Sequence, residues 1–129
     1  MERFENAGRA FFQDFCLSHP SQLRILLRES VGLTPEVEAR RQAIFDQLNE
    51  DVAAAILEVM DEYGKTDRFV AEVASVVIVG MLERVAYQYL IWQDRSAEME
   101  MITREALAFI RGGILSVMEN LNRVTARPR

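Results

Sequence analysis

The stretch from Ala71 to Gln93, AEVASVVIVGMLERVAYQYLIWQ, constrains this chain more than any other. Only Glu72, Glu83 and Arg84 carry charge within it. The β-branched run Val76-Val77-Ile78-Val79 would suit a buried strand, but apolar character continues to Trp92, far beyond a usual strand. A helix is therefore expected, capped by Thr66 or Asp67. It is too short to span a bilayer: the uninterrupted apolar run from Val73 to Leu82 would rise only about 15 Å, against a hydrocarbon core of roughly 30 Å.

Placed on a helical wheel, this segment shows two apolar faces. One carries Phe69, Val73, Val76, Gly80, Tyr87 and Ile91; the other, roughly opposite, carries Ala74, Ile78, Leu82, Val85, Tyr89 and Trp92. A helix on the outside of a monomer needs only one. Either the chain's other helices cover both faces, or a second copy covers one.

The remaining periodicity is helical throughout, and no clean strand alternation appears. A first helix is expected from about Glu2 to Leu17, with Phe4, Ala7, Phe11, Phe12 and Phe15 at spacings of three and four. A second follows Ser18-His19-Pro20 and stops at Gly32; proline suits the first helical position, where its missing N–H would lack a partner anyway. The third opens at Thr34-Pro35-Glu36, carries Ile44, Leu48, Val52, Ile56, Val59 and Tyr63, and stops at Gly64. The apolar segment is the fourth. A fifth starts after Ser96 and runs to about Leu121. Ile102, Ala106, Phe109, Ile110, Gly113, Val117 and Leu121 cover about half its girth, more than one core stripe requires.

The last two helices thus carry surplus apolar surface, and a contiguous exposed patch usually marks an interaction site. The expectation is a homodimer through Val73, Val76, Gly80, Arg84, Tyr87 and Ile91 of the fourth helix and Ala106, Phe109, Ile110, Gly113 and Val117 of the fifth. Gly80 and the pair Gly112-Gly113 weaken a helix relative to alanine, and close helix approach would be a reason to tolerate them. Glu83 and Arg84 interrupt the apolar helix. Three readings stay open for them: a polar rim of the dimer contact, an intramolecular ion pair, or polar anchors in a ligand cavity.

Half of the 129 residues are hydrophobic, as in one globular domain. The expected organisation is a single helical unit over residues 1–122 and a flexible tail over 123–129. The opening MERFENAGRA has no basic region followed by an apolar run, so no secretory leader is expected. One cysteine, Cys16, precludes an internal disulfide and fits a reducing, cytoplasmic setting. A net charge of −5 without a basic stripe argues against nucleic-acid binding by this chain alone.

Enzyme chemistry finds little to work with. A single histidine forbids a di-iron site built on two Glu-x-x-His pairs, and neither a Gly-rich phosphate loop nor a Cys/His zinc pattern occurs. Cys16 and His19 lie three apart, but Pro20 breaks the helix there, so a structural cysteine and a capping histidine are expected. No cofactor or metal is expected. Methionines and aromatics are plentiful; they fill either an ordinary core or an apolar cavity between the first, third and fourth helices. Candidate cavity neighbours are Phe11, Phe15, Leu48, Val52, Met81, Val85 and Tyr89.

The succession FFQDFCLSHPSQLRILLRESVG, a long helix ending before Gly64, TDRFVAEVASVVIVGMLERV and a final helix resembles the C-terminal domain of TetR-family transcriptional regulators. The phrase that carries the likeness is His19-Pro20, Arg24, Leu26-Leu27, Glu29 and Gly32. The resemblance implies an all-α antiparallel bundle of about five helices whose last two form a four-helix dimer interface. It further implies a cavity for a small, hydrophobic effector that controls DNA binding by a repressor. The family's N-terminal helix-turn-helix has no match in these residues, so this chain by itself is not expected to recognise an operator. The alternative is a purely structural helical dimerisation domain with a filled interior and no ligand.

Overall fold

A computed structural model describes residues 2–10 and 34–124, and the described residues are all-helical, with no strand among them. The helices are α1 (Glu2–Arg9), α2 (Pro35–Glu62), α3 (Arg68–Ala86), which runs on as a π-helical segment (Tyr87–Trp92), and α4 (Met99–Val124), preceded by a 3-10 turn (Ser96–Glu98). They correspond to the first, third, fourth and fifth helices expected above. The expected second helix, with Cys16, His19 and the Arg24–Gly32 phrase, lies outside the described residues, as do Phe11, Phe15 and residues 125–129 of the tail.

Local chemistry sets the helix ends. Thr34 is extended, and its hydroxyl accepts from the Val37 N–H at 3.1 Å; Pro35 follows at the first turn, with Glu36 and Glu38 against the positive end of the dipole. At the other end, the Gly64 N–H reaches the Asp61 carbonyl at 3.0 Å and the Lys65 N–H reaches the Met60 carbonyl at 3.1 Å. This paired closure needs a left-handed residue, which Gly64 supplies at φ +78°. Asp67 caps α3 by accepting from the Val70 N–H at 3.1 Å.

Among the described residues the core draws on three helices. Ile56, Val59 and Met60 of α2 meet Ala71, Ile78, Leu82 and Ala86 of α3. From α4 come Met99 and then, at steps of three or four along the helix, Leu107, Ile110, Ile114, Met118 and Leu121, with Thr103 midway between Met99 and Leu107. Thr103, on the same α4 face, is fully buried, and its hydroxyl has no hydrogen-bond partner among the described residues. The Lys65 ammonium donates to the Leu121 carbonyl at 3.2 Å, which places the start of α3 beside the end of α4 and makes the pair antiparallel. At α1, Arg111 pairs with Glu5 at 3.7 Å, and Gly8 lies so close to Leu107 that a Cβ there would strike its Cδ2.

Two stripes differ from expectation. Ile44 and Tyr63, at the ends of the α2 stripe, are 42% and 50% exposed, while Phe45, Val52 and Ala55 pack on the core. Each four-residue step advances about 40° beyond a full turn, so Ile44 stands about 120° from Ile56. In α4 the core side is Met99-Leu107-Ile114-Met118, whereas Phe109 and Gly113 face outward.

Candidate interaction surface and a second depression

α3 buries one side only. Ala71, Ser75, Ile78, Leu82 and Ala86 face inward, whereas Phe69, Val73, Val76, Val77 and Gly80 are exposed. Phe69 is 72% exposed, and Phe109, on the neighbouring α4, is 73% exposed. Between the two helices runs an open groove of about 390 Å³, and all fourteen residues that line it are apolar or glycine. Its α3 wall is the four-step row Phe69, Val73, Val77 and Met81; its α4 wall runs through Phe109, Gly113 and Val117. Exposed apolar side chains along two adjacent helices form the kind of patch that water-soluble chains normally cover.

Of the residues expected at the dimer contact, Val73, Phe109, Ile110, Gly113 and Val117 line this groove. Val76 and Gly80 are exposed on the outer side of α3. Tyr87 and Ile91 are half-buried against the core instead; the π-helical turn that begins at Tyr87 holds extra residues and delays the register of Ile91. The same shift leaves Trp92 53% exposed, with the Tyr87 ring edge-on to it at 4.7 Å and the Arg84 guanidinium 4.8 Å above it. Glu83 accepts from Arg41 at 3.2 Å, so for this carboxylate the geometry is that of an intramolecular ion pair between α2 and α3. Phe69 and Val77, absent from the expected contact set, were available in the sequence as members of a row spaced by four.

The candidate cavity residues do not converge on one depression among the described residues. Met81 lines the apolar groove. Leu48 and Val52 are half-buried on α2. Val85 and Tyr89, together with Ala106 from the dimer set, line a separate depression of about 410 Å³ under the π-helical corner. Half-buried Ile102, exposed Met101 and the charged Arg95, Glu98 and Glu105 also line it. Arg95 donates through Nε and Nη2 to both oxygens of Glu98, and its guanidinium lies 5.5 Å from the Tyr89 ring centre. The hydrogen bond from Arg95 holds the Glu98 carboxyl below the usual value of 4.5, while Glu98 raises Arg95 in turn. The corner is closed by Asp94 in the left-handed region, φ +49°.

A third depression, of about 680 Å³ between α2 and α3, is mixed, with Asp46, Glu50, Arg68 and Glu72 on its walls beside Ala53, Ala54, Leu57 and Val76. Among the described residues no group of three or more His, Cys, Asp or Glu side chains is placed to hold a metal ion. No described helix is long and apolar enough to cross a membrane. Comparison with protein-family models, curated proteins and solved structures found no match. Function has therefore to be read from the chain's own surface.

Proposed function

We propose that this chain is the dimerisation and effector-sensing domain of a TetR-type transcriptional repressor, acting in the cytoplasm. One observation carries the dimer: a wholly apolar groove, lined by exposed Phe69, Val73, Val77 and Phe109, runs between α3 and α4. In the proposed assembly the same two helices of a second copy cover it, giving a four-helix interface with twofold symmetry, in which each contact occurs twice. Sensing of a small hydrophobic effector rests on the sequence resemblance. Such a ligand acts only if it binds two subunit arrangements with different affinity, one fit for DNA binding through a helix-turn-helix domain and one not.

A purely structural dimerisation domain is the competing reading. It is favoured by the separation of Met81 from Val85 and Tyr89, which line different depressions. A thermal-shift screen of lipophiles, acyl compounds and dyes separates the two. An effector at a hundredfold its dissociation constant adds about 2.7 kcal/mol of apparent stability. A flat response across the panel, in a sample that light scattering finds dimeric, selects the structural reading; a monomer in light scattering removes both.

A further inference from the structure

α3 is a helix against its own composition. Ten residues pass without charge from Val73 to Leu82, the longest such stretch in the chain. Five of them are β-branched, four in succession from Val76 to Val79. Branching at Cβ restricts side-chain rotamers in a helix and suits a pleated strand, and Gly80 weakens the helix further. Tertiary contact therefore holds what propensity does not: Ala71, Ser75, Ile78, Val79, Leu82 and Ala86 are buried. That contact covers one side only. Val73, Val76 and Val77 are 49%, 59% and 55% exposed.

A strand would bury the same residues on both sides. Drawn out, the run places Val73, Val77, Val79 and Met81 on one face and Ala74, Val76, Ile78 and Leu82 on the other. Neither face carries charge, and no proline intervenes. Copies stacked about 4.8 Å apart satisfy the backbone of such a run and enclose both faces, as in a steric zipper. Charge sets its limits. In-register stacking puts Glu72 on Glu72, Glu83 on Glu83 and Arg84 on Arg84, and like charges directly opposite destabilise a pair. Within the protomer Glu83 has a partner, Arg41 at 3.2 Å, and Arg84 lies over Trp92; both contacts are lost if the helix opens. Charged residues placed beside an apolar run act as stops to its pairing.

We propose that Val73–Leu82 is a segment with two forms. It is helical while its outer side is covered, and β-paired with the same run of further copies when that side stays open, with Glu72 and the Glu83–Arg84 pair as its stops. The partner is the identical run of another chain. Neither an effector nor the repressor reading is needed; the proposed dimer enters only as the cover.

Val77→Glu and Phe109→Asp separate this pairing from unspecific apolar clumping. Each adds one carboxylate at an exposed position of the outer face, but only Val77→Glu breaks the run. Circular dichroism first verifies that both keep their helices. The wild-type chain and the two variants are then agitated at one concentration, a few degrees below the unfolding midpoint of each. Phe109→Asp is expected to form thioflavin-positive fibres with a meridional spacing of about 4.8 Å, after a lag several-fold shorter than that of the wild type. Val77→Glu is expected to stay free of them. Protease digestion of the Phe109→Asp fibres and mass spectrometry should leave a core within residues 72–84, a readout independent of how Val77→Glu behaves. A Phe109→Asp chain that stays soluble or forms amorphous, thioflavin-negative aggregate overturns the proposal. So do fibres in Val77→Glu, or a protected core elsewhere in the chain. Sedimentation of the unheated samples keeps the two ideas apart: a wild type that sediments as one copy removes the dimer, and the two-form segment then requires the wild type to form fibres as fast as Phe109→Asp.

Discussion

Gly80 and Gly113 separate two accounts of the apolar surface. A Cβ built on either meets nothing within 4 Å among the described residues, so neither glycine serves close packing between the described helices of one protomer. In a chain that stays alone, Gly113→Ala should therefore stabilise α4 by about 0.5–1 kcal/mol through helix propensity. In the proposed dimer, Gly113 lies on the groove wall where a partner helix approaches, and the added methyl obstructs it. The expected outcome of Gly113→Ala is a higher unfolding midpoint at dilutions where the chain is monomeric, together with dimer dissociation at least about tenfold easier. A gain in stability with unaltered self-association would remove Gly113 from the interface.

The Arg95–Glu98 pair offers a second test at this scale. Glu98 is held below the usual 4.5 by the Arg95 hydrogen bond. A carboxylate with a depressed folded value contributes stability above its unfolded value, and that contribution fades as pH falls through the folded value. Carboxyl carbon shifts of Glu98 should thus titrate with a midpoint under 4.5. In Arg95→Gln the midpoint should return upward. A Glu98 midpoint that ignores the Arg95 substitution would show that the pair does not persist in solution.

At the scale of elements, the inward and outward sides of α3 should respond to substitution in opposite ways. Ile56 and Met60, fully buried on α2 against α3, should lose about 2–5 kcal/mol of stability when cut to alanine, as read by denaturant unfolding. Val77→Glu and Phe109→Asp change residues that are 55% and 73% exposed, so the folded protomer should keep its helices. Their expected effect is on assembly, by placing a carboxylate without a partner against apolar surface. Loss of helicity in either variant at low concentration would show that these faces support the protomer itself.

Much of this level was legible in the sequence. Thr34-Pro35, Gly64 and Asp67 announced their helix ends because capping is local chemistry. The surplus apolar side of α3 was legible because a wheel counts faces. The π-helical turn was not, since its register shift arises where Tyr87, Leu90 and Ile91 pack on the core rather than from any motif. The wheel therefore sets Tyr87 and Ile91 on the face expected at the dimer contact, and Trp92 on the opposite one. The α2 stripe failed at Ile44 because steps of four drift around a straight helix, and at Tyr63 because that residue lies past the helix end, at its C-cap. The second depression was half legible: Val85 and Tyr89 were named, but Arg95 and Glu98 reach them only through the turn that follows Trp92.

For the whole molecule, α2 and α3 form one packed layer with the inner side of α4, and the outer sides of α3 and α4 flank an uncovered apolar groove. A single protomer leaves Phe69, Val73, Val76, Val77 and Phe109 in water together, an arrangement that association relieves. The full chain, examined by sedimentation equilibrium from low to high micromolar concentration, tests this most directly. The prediction is a mass of twice one chain with a dissociation constant in the micromolar range or tighter, and a mass of one chain for Val77→Glu under the same conditions. A wild-type chain that sediments as a single copy across the whole range would contradict it.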